Sequence, residues 1–392
     1  INTERLRATA QGHSLPCTRP IGSCGTAAGP PGLGKETGEQ TPVPAFLHAG
    51  ARNAGIFLQH ALSMNRLIDA HNRHINYLRI SVTDRCNLRC IYCMPKEGIS
   101  TIGHDEILRY EEIVRIARSA ASRGITKIRI TGGEPLVRRG IVDLIAELRR
   151  VPGIQDLSMT TNGILLASCA AELRAAGLDR LNISLDSLNP ERFRTITRGG
   201  DLQAVLAGIT KAREIGFSPI KINVVAMRGI NDDELTDFAR LTLDRPVHIR
   251  FIEFMPVGQS TDWSDDHFIP ATEIQERIAA IGSLVEEPSP GHAGPARMYR
   301  LDHAVGRIGF ITALSNHFCS HCNRLRLTAD GKLRTCLFSD DETDLKTPLR
   351  NGCDDHQLAD IIAAAIASKP LQHRVFEPTF KKCLRNMVSI GG

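Results

Sequence analysis

The sequence predicts an α/β chain, a partial (β/α)6 barrel followed by a C-terminal α+β extension. Two observations predict it. Six strand-like runs alternate with helical patterns between residues 76 and 254, and such alternation implies parallel strands joined by right-handed helical crossovers. Further on, Arg324–Thr328 and Lys332–Leu337 read as a hairpin turned by Ala329-Asp330-Gly331, which no crossover pattern interrupts. The chain of 392 residues has room for about two domains at roughly 150 residues each. The boundaries read as an extension over 1–63, the barrel over 64–270 and the C-terminal domain over 271–392.

Residues 1–63 are dominated by Gly, Pro, Ala, Ser and Thr, as in Gly29-Pro30-Pro31-Gly32-Leu33-Gly34. No hydrophobic period lasts two turns there, so the segment is expected to be a disordered or spurious extension. It has neither the apolar stretch of a signal peptide nor the acid-poor composition of a transit peptide, given Glu4, Glu36 and Glu39. The strand runs are Tyr77–Val82, Lys127–Thr131, Leu157–Thr160, Leu181–Leu185, Ile220–Val225 and His248–Phe254. The clearest helix runs from Asp201 to Gly216, with Leu202, Val205, Ile209 and Ala212 on one stripe between an N-cap Asp and a terminal Gly. Asn231 and Glu234 match the spacing of a capping box. A last helix is expected at Asp355–Ser368.

Parallel strands buried on both faces should be nearly continuous apolar runs. These are instead split by face. Leu78, Ile80 and Val82 oppose Arg79 and Ser81; Ile128 and Ile130 oppose Lys127, Arg129 and Thr131. Leu157 and Met159 oppose Ser158 and Thr160; Leu181, Ile183 and Leu185 oppose Asn182 and Ser184. Ile222 and Val224 oppose Lys221 and Asn223, while Arg250 opposes Ile249 and Phe251. Helices must cover the apolar faces, so Arg79, Lys127, Arg129, Lys221 and Arg250 are expected to face one lumen. Buried charges need partners, and a polyanionic, phosphate-rich ligand would supply them. An open sheet with a solvated polar face, or cations paired with local carboxylates, is the alternative.

Composition removes other classes. A net charge of +5 is too small for a nucleic-acid footprint, and 5% aromatics with one Trp leave no stacking surface. No apolar run approaches the ~18 residues of a membrane span. Six of the eleven cysteines fall in two groups, Cys86, Cys90, Cys93 and Cys319, Cys322, Cys336. Such spacings suit thiolates around metal in a reducing, cytoplasmic setting. Cys17, Cys24, Cys169, Cys353 and Cys383 are scattered and read as bystanders.

Cys86, Cys90 and Cys93 form C-x3-C-x2-C directly after the first strand, where a barrel opens its βα loops to substrate. Three thiolates fill three positions of a four-iron cubane and leave one iron open to an exchangeable ligand; a zinc site completed by a His, or unligated cysteines, is the alternative. Cys319, Cys322 and Cys336 form C-x2-C-x13-C, beside Arg324 and Arg326. There a second cluster competes with a zinc site completed by His317 or His321. Thr131-Gly132-Gly133-Glu134-Pro135 closes the second strand, where two glycines allow close approach of a ligand to backbone and Glu134 offers a carboxylate to an ammonium group.

C-x3-C-x2-C with Tyr92 before its last Cys, and Gly-Gly-Glu-Pro after the second strand, resemble the radical S-adenosylmethionine superfamily. The second triad, the run Cys322-Asn323-Arg324-Leu325-Arg326 and the terminal Gly391-Gly392 resemble its GTP 3′,8-cyclase branch. The similarity runs from about Asn65 to Gly392. It implies a TIM-like radical SAM partial barrel with an iron–sulfur extension, two 4Fe-4S clusters and S-adenosylmethionine as cofactor. It further implies conversion of GTP to 3′,8-cyclo-7,8-dihydro-GTP through a 5′-deoxyadenosyl radical, the first step of molybdopterin biosynthesis. By the same resemblance Tyr92, Gly133, Ser184 and Met255 surround S-adenosylmethionine. Arg79, Arg129, Thr160, Lys221, Arg324 and Arg326 fall on GTP-binding positions, and Gly391 and Gly392 reach into the active site as catalytic elements. Implied partners are a flavodoxin- or ferredoxin-type electron donor, a downstream cyclic pyranopterin monophosphate synthase and a second copy in a homodimer, with neither nucleic acid nor membrane. Two other readings stay open: a twin-cluster radical enzyme acting on a peptide or an RNA base, and a non-enzymatic iron–sulfur carrier.

Overall fold

The computed structural model describes residues 67–259, 261, 263–288 and 294–391. The expected extension over 1–63 and the terminal Gly392 lie outside the described residues. The barrel half contains β1 (Tyr77–Ser81), α1 (Tyr110–Ser122), β2 (Lys127–Thr131), α2 (Ile141–Arg149), β3 (Asp156–Thr161), α3 (Leu166–Ala175) and β4 (Arg180–Ser184). It continues through α4 (Pro190–Thr197), α5 (Leu202–Glu214), β5 (Ile220–Ala226), α6 (Leu235–Asp244) and β6 (Val247–Glu253). These six strands lie side by side in chain order, each parallel to the next. The six runs expected from the sequence are therefore the six strands.

The rest of the chain extends the sheet at both edges. After α7 (Ala271–Ala279) come β7 (Leu284–Glu287), β8 (Arg297–Leu301) and β9 (Arg307–Ile311). β9 pairs in parallel with β6, and β8 and β7 follow it antiparallel. At the other edge β10 (Arg324–Leu327) pairs in parallel with β1. It forms the expected hairpin with β11 (Lys332–Arg334), which pairs with β12 (Thr343–Asp344). α8 (Lys346–Arg350), α9 (Asp355–Ala367) and the single turn α10 (Met387–Ile390) complete the described elements.

Helix placement follows local chemistry. α5 starts where the Asp201 carboxylate accepts from Gln203 N–H, and its stripe of Leu202, Val205, Ile209 and Ala212 is buried. The expected capping box at Asn231 and Glu234 does not form. Asn231 Oδ1 accepts from Met227 N at 2.8 Å, and Glu234 accepts from Ser187 Oγ at 2.7 Å and Leu188 N at 2.5 Å. Tertiary partners satisfy both side chains, and α6 begins without them.

Both faces of the sheet are buried. Leu78, Ile80, Ile128, Ile130, Leu157, Met159, Leu181, Ile183, Ile222, Val224, Ile249 and Phe251 join one core with the helices. On the other face Arg79, Ser81, Thr131, Ser158, Asn182, Arg250 and Arg326 are buried as well. The solvated-face alternative is thereby excluded. Register aligns the polar side chains into rows: Arg326, Arg79, Arg129, Ser158 and Arg180 are successive partners across β10, β1, β2, β3 and β4.

Candidate active site

The first triad sits on the loop after β1, and that loop is laced to the end of β2. Val82 N donates to Thr131 O at 2.9 Å, Gly133 N to Thr83 O at 2.6 Å and Glu134 N to Arg85 O at 2.9 Å. The approach leaves no room for side chains. A Cβ at Gly132 would lie 2.6 Å from Thr83 O, and one at Gly133 would lie 2.3 Å from Arg85 O. On its far side the loop docks on the end of α4, with Arg89 N and Ile91 N donating to Thr197 O and Ile196 O. Cys86, Cys90 and Cys93 all line the central cavity. Burial pushes the Cys93 thiol up to about 12 and raises Cys90 well above the ordinary range. A metal that binds there must displace protons.

Tyr92, inside the triad, lines the same cavity and donates from its hydroxyl to Asp186 Oδ2 at 2.7 Å. The other Asp186 oxygen accepts from Val225 N at 2.8 Å, so this buried carboxylate ties the cysteine loop to β5. Burial pushes the Asp186 carboxyl up to about 6 against the opposing pull of those two donors. Gly133, Ser184 and Met255 line the cavity beside it.

The second triad faces the same space. Cys319 opens a short turn before β10, Cys322 directly precedes Asn323 and β10, and Cys336 follows β11. All three line the cavity. Burial raises the Cys322 thiol, but Arg324 and Lys369 outweigh it and hold the thiol down to about 6. His317 packs edge-on against His373 at 5.1 Å, and His321 Nδ1 lies 2.9 Å from Ser320 Oγ. Among the described residues no three His, Cys, Asp or Glu side chains converge tightly enough to hold a single metal ion. A cubane takes its thiolates at separate corners, and two sets of three thiols facing one cavity fit that larger group.

Arg79, Arg129, Arg250, Arg324 and Arg326 line the cavity, as does Thr160. Among the described residues, Arg250 Nε, Thr160 Oγ1, Asn223 Oδ1 and His317 Nδ1 are buried on its wall without a hydrogen-bond partner. Buried atoms of this kind are costly, and they mark where a polar ligand belongs. The local field is positive. Burial and the neighbouring Arg250 and Arg180 push Lys221 down to about 7, and burial with Lys221 pushes His248 down to about 4.

The structure brings most of the sequence-derived site residues together and moves a few. Lys127 and Lys221 lie on the polar face but are not among the side chains lining the cavity. Parity along a strand gives the face and not the depth. Arg180 shares their face and field, but it stands at the first position of its strand, just outside the alternating run Leu181–Leu185. The Glu134 carboxylate, expected to meet an ammonium group, is spent on protein donors: Thr161 Oγ1 and Asn162 N at 2.7 Å, Leu136 N at 3.0 Å. Gly391 lies beside the cavity, its carbonyl accepting from Arg326 at 2.6 Å and Arg79 at 3.2 Å. Asp186, Lys369 and Arg73 were missed as cavity residues because no local spacing marks them. Glu253 was missed because strand parity puts it with the core side chains. It is buried and accepts from Leu314 N at 2.8 Å and Ser315 N at 3.0 Å, which fixes the segment leading to Cys319.

Comparisons with known proteins agree with this geometry. A model of the radical SAM superfamily matches residues 80–242, and a model of molybdenum cofactor synthesis C matches residues 247–375. The GTP 3′,8-cyclase of Pelotomaculum thermopropionicum is 51% identical over 325 residues, covering 83% of this chain and 99% of its own. That of Heliobacterium modesticaldum is 52% identical over 327 residues, covering 83% of this chain and all of its own (100%). Among solved structures, Streptococcus suis SuiB bound to S-adenosylmethionine shares the fold, with TM-score 0.56 at 14% identity, over 81% of this chain and 72% of its own. The partial barrel with its cysteine loop over the strand ends is that of a radical S-adenosylmethionine enzyme. With about half of the aligned residues identical to those of curated relatives over nearly the relatives' whole length, the chain belongs to the GTP 3′,8-cyclase family. No helix among the described residues is long and apolar enough to cross a membrane.

Proposed function

We propose that this chain converts GTP to 3′,8-cyclo-7,8-dihydro-GTP, using two 4Fe-4S clusters and S-adenosylmethionine. One observation carries the reading: a single cavity is lined by both thiol triads, by six arginines and, among the described residues, by buried polar atoms without a hydrogen-bond partner. Cys86, Cys90 and Cys93 would hold one cluster, and Cys319, Cys322 and Cys336 the other. With S-adenosylmethionine bound, the first cluster supplies a 5′-deoxyadenosyl radical able to take hydrogen from the ribose 3′ position. Tyr92, oriented by Asp186, would form the adenosyl side of the pocket together with Gly133, Ser184 and Met255. Thr160, Arg129, Arg324 and Arg250 would orient GTP, and Arg79 and Arg326 would do so jointly with the tail carbonyl of Gly391. Lys127 and Lys221, on the same polar face, would add positive potential. The guanine would lie against the second triad. On the same reading the electron comes from a flavodoxin- or ferredoxin-type donor, the product passes to a cyclic pyranopterin monophosphate synthase, and the reaction is cytoplasmic.

Anaerobic reconstitution with iron and sulfide, then incubation with S-adenosylmethionine, GTP and dithionite, tests this directly. Intact protein should approach about eight irons per chain, as two four-iron clusters require. Cys86→Ser should abolish cleavage of S-adenosylmethionine. Cys319→Ser should leave uncoupled cleavage and lose the cyclised nucleotide. About four irons with one zinc, or product from the Cys319→Ser chain at the intact rate, would overturn the two-cluster reading.

Arg250 provides a separate check on the triphosphate. Arg250→Ala should weaken GTP binding by roughly 1.5–3 kcal/mol, the scale of hydrogen bonds to charged groups, and leave guanosine binding nearly unchanged. Lys221→Ala should have a smaller effect, since Lys221 is not among the side chains lining the cavity. Equal losses for GTP and guanosine in the Arg250 variant would assign that side chain to structure instead.

A further inference from the structure

Lys369 follows α9 and is only 3% exposed, yet it lines the cavity beside Cys319, Cys322 and Cys336. Its ammonium donates to Arg324 O at 3.1 Å and to Thr335 O. Those carbonyls belong to the strand after Cys322 and to the residue before Cys336. The next two residues hold a second buried cation, because Pro370 O and Leu371 O accept from Arg73 at 2.7 and 2.9 Å. Arg73 also donates to Cys319 O at 2.7 Å, so the strap Lys369-Pro370-Leu371 ties both cations to the backbone of the triad.

The two cations differ in one respect. Arg73 has its own carboxylate, Asp69, at 2.5 Å. Among the described residues no carboxylate lies within ion-pair distance of Lys369, and two carbonyl bonds leave one of its three N–H donors unspent. A buried ammonium without a counter-anion is expensive. Three thiolates on a four-iron cluster make a net anion, and one-electron reduction adds a further negative charge.

We propose that Lys369 is the fixed counter-charge of the second cluster and sets its reduction potential, favouring the reduced state. This rests on the second triad holding a cluster. The test uses the full chain carrying Cys86→Ala, Cys90→Ala and Cys93→Ala, so that only the second cluster contributes iron and signal. Midpoint potentials are then read by redox titration with electron paramagnetic resonance. Lys369→Met should retain iron and shift the reduction equilibrium at least tenfold toward the oxidised form, about 59 mV for one electron. Lys369→Arg should restore most of the shift. If the Met variant fails to fold or keep its cluster, Lys369→Gln carries the same comparison, since it keeps a donor and loses the charge. An iron-loaded neutral variant whose equilibrium moves less than threefold overturns the proposal and leaves the cluster reading standing. A first-triad variant that binds no iron overturns both.

Discussion

Gly133→Ala should cost this chain its cleavage of S-adenosylmethionine, by on the order of a hundredfold. The reason is steric and local. An added Cβ would lie 2.3 Å from Arg85 O, 2.6 Å from Arg85 C and 3.0 Å from Asp84 O. All three are backbone atoms of the segment that leads into Cys86, so no side chain can swing aside. The loop must move, and it carries the whole first triad. Displacements near 1 Å at a reacting centre cost about that factor, while the overpacking itself costs roughly 1–3 kcal/mol of stability. The expected signature is a folded protein with reduced first-cluster iron and little 5′-deoxyadenosine formed. Gly103→Ala is the matched control, because a Cβ there meets nothing within 4 Å. Wild-type cleavage with full iron in the Gly133 variant would show that the loop accommodates a methyl group and that the close approach has no role.

How far this site could be read from the sequence depends on the reach of each signal. Arg79, Arg129 and Arg250 were legible because strand parity is a strictly local rule, and the strands formed where the pattern placed them. The six cysteines were legible because metal ligation imposes short spacings. Depth along the lumen was not legible: Lys127 and Lys221, two residues earlier on the same strands, share the parity of Arg129 and Asn223 and yet are not among the side chains lining the cavity. Neither was the parallel pairing of β10 with β1, which sets Arg326 beside Arg79 from 247 residues away (326 − 79). Lys369, Arg73 and Asp186 act through contacts between distant segments, and no spacing announces them. The capping box at Asn231 failed for the same reason in reverse. A local motif was present, and Ser187, Leu188 and Met227 offered its side chains better partners.

Gly391→Ala should lower product formation tenfold or more while both clusters load and S-adenosylmethionine binds as before. The tail is anchored first: Val388 and Ile390 are buried at 1% exposure, and α10 ends at Gly391, whose φ is +71°. A residue with a side chain pays roughly 1–2 kcal/mol to hold that left-handed conformation. It would also meet the barrel wall, with a Cβ 2.7 Å from Thr131 Cγ2 and 3.2 Å from Ser81 Cβ. The backbone must therefore shift, and the Gly391 carbonyl shifts with it, away from Arg326 at 2.6 Å and Arg79 at 3.2 Å. Those two guanidiniums are proposed to orient GTP, so the loss should appear in cyclisation and not in cleavage of S-adenosylmethionine. Gly352→Ala separates the causes, because Gly352 has φ +86° with nothing within 4 Å of an added Cβ. It pays the same backbone cost away from any clash and should keep full activity. Product, 5′-deoxyadenosine and iron measured together decide the matter. Unchanged turnover in Gly391→Ala would mean that the tail carbonyl orders nothing the reaction uses, whereas parallel loss of product and cleavage would place its action on the first triad instead.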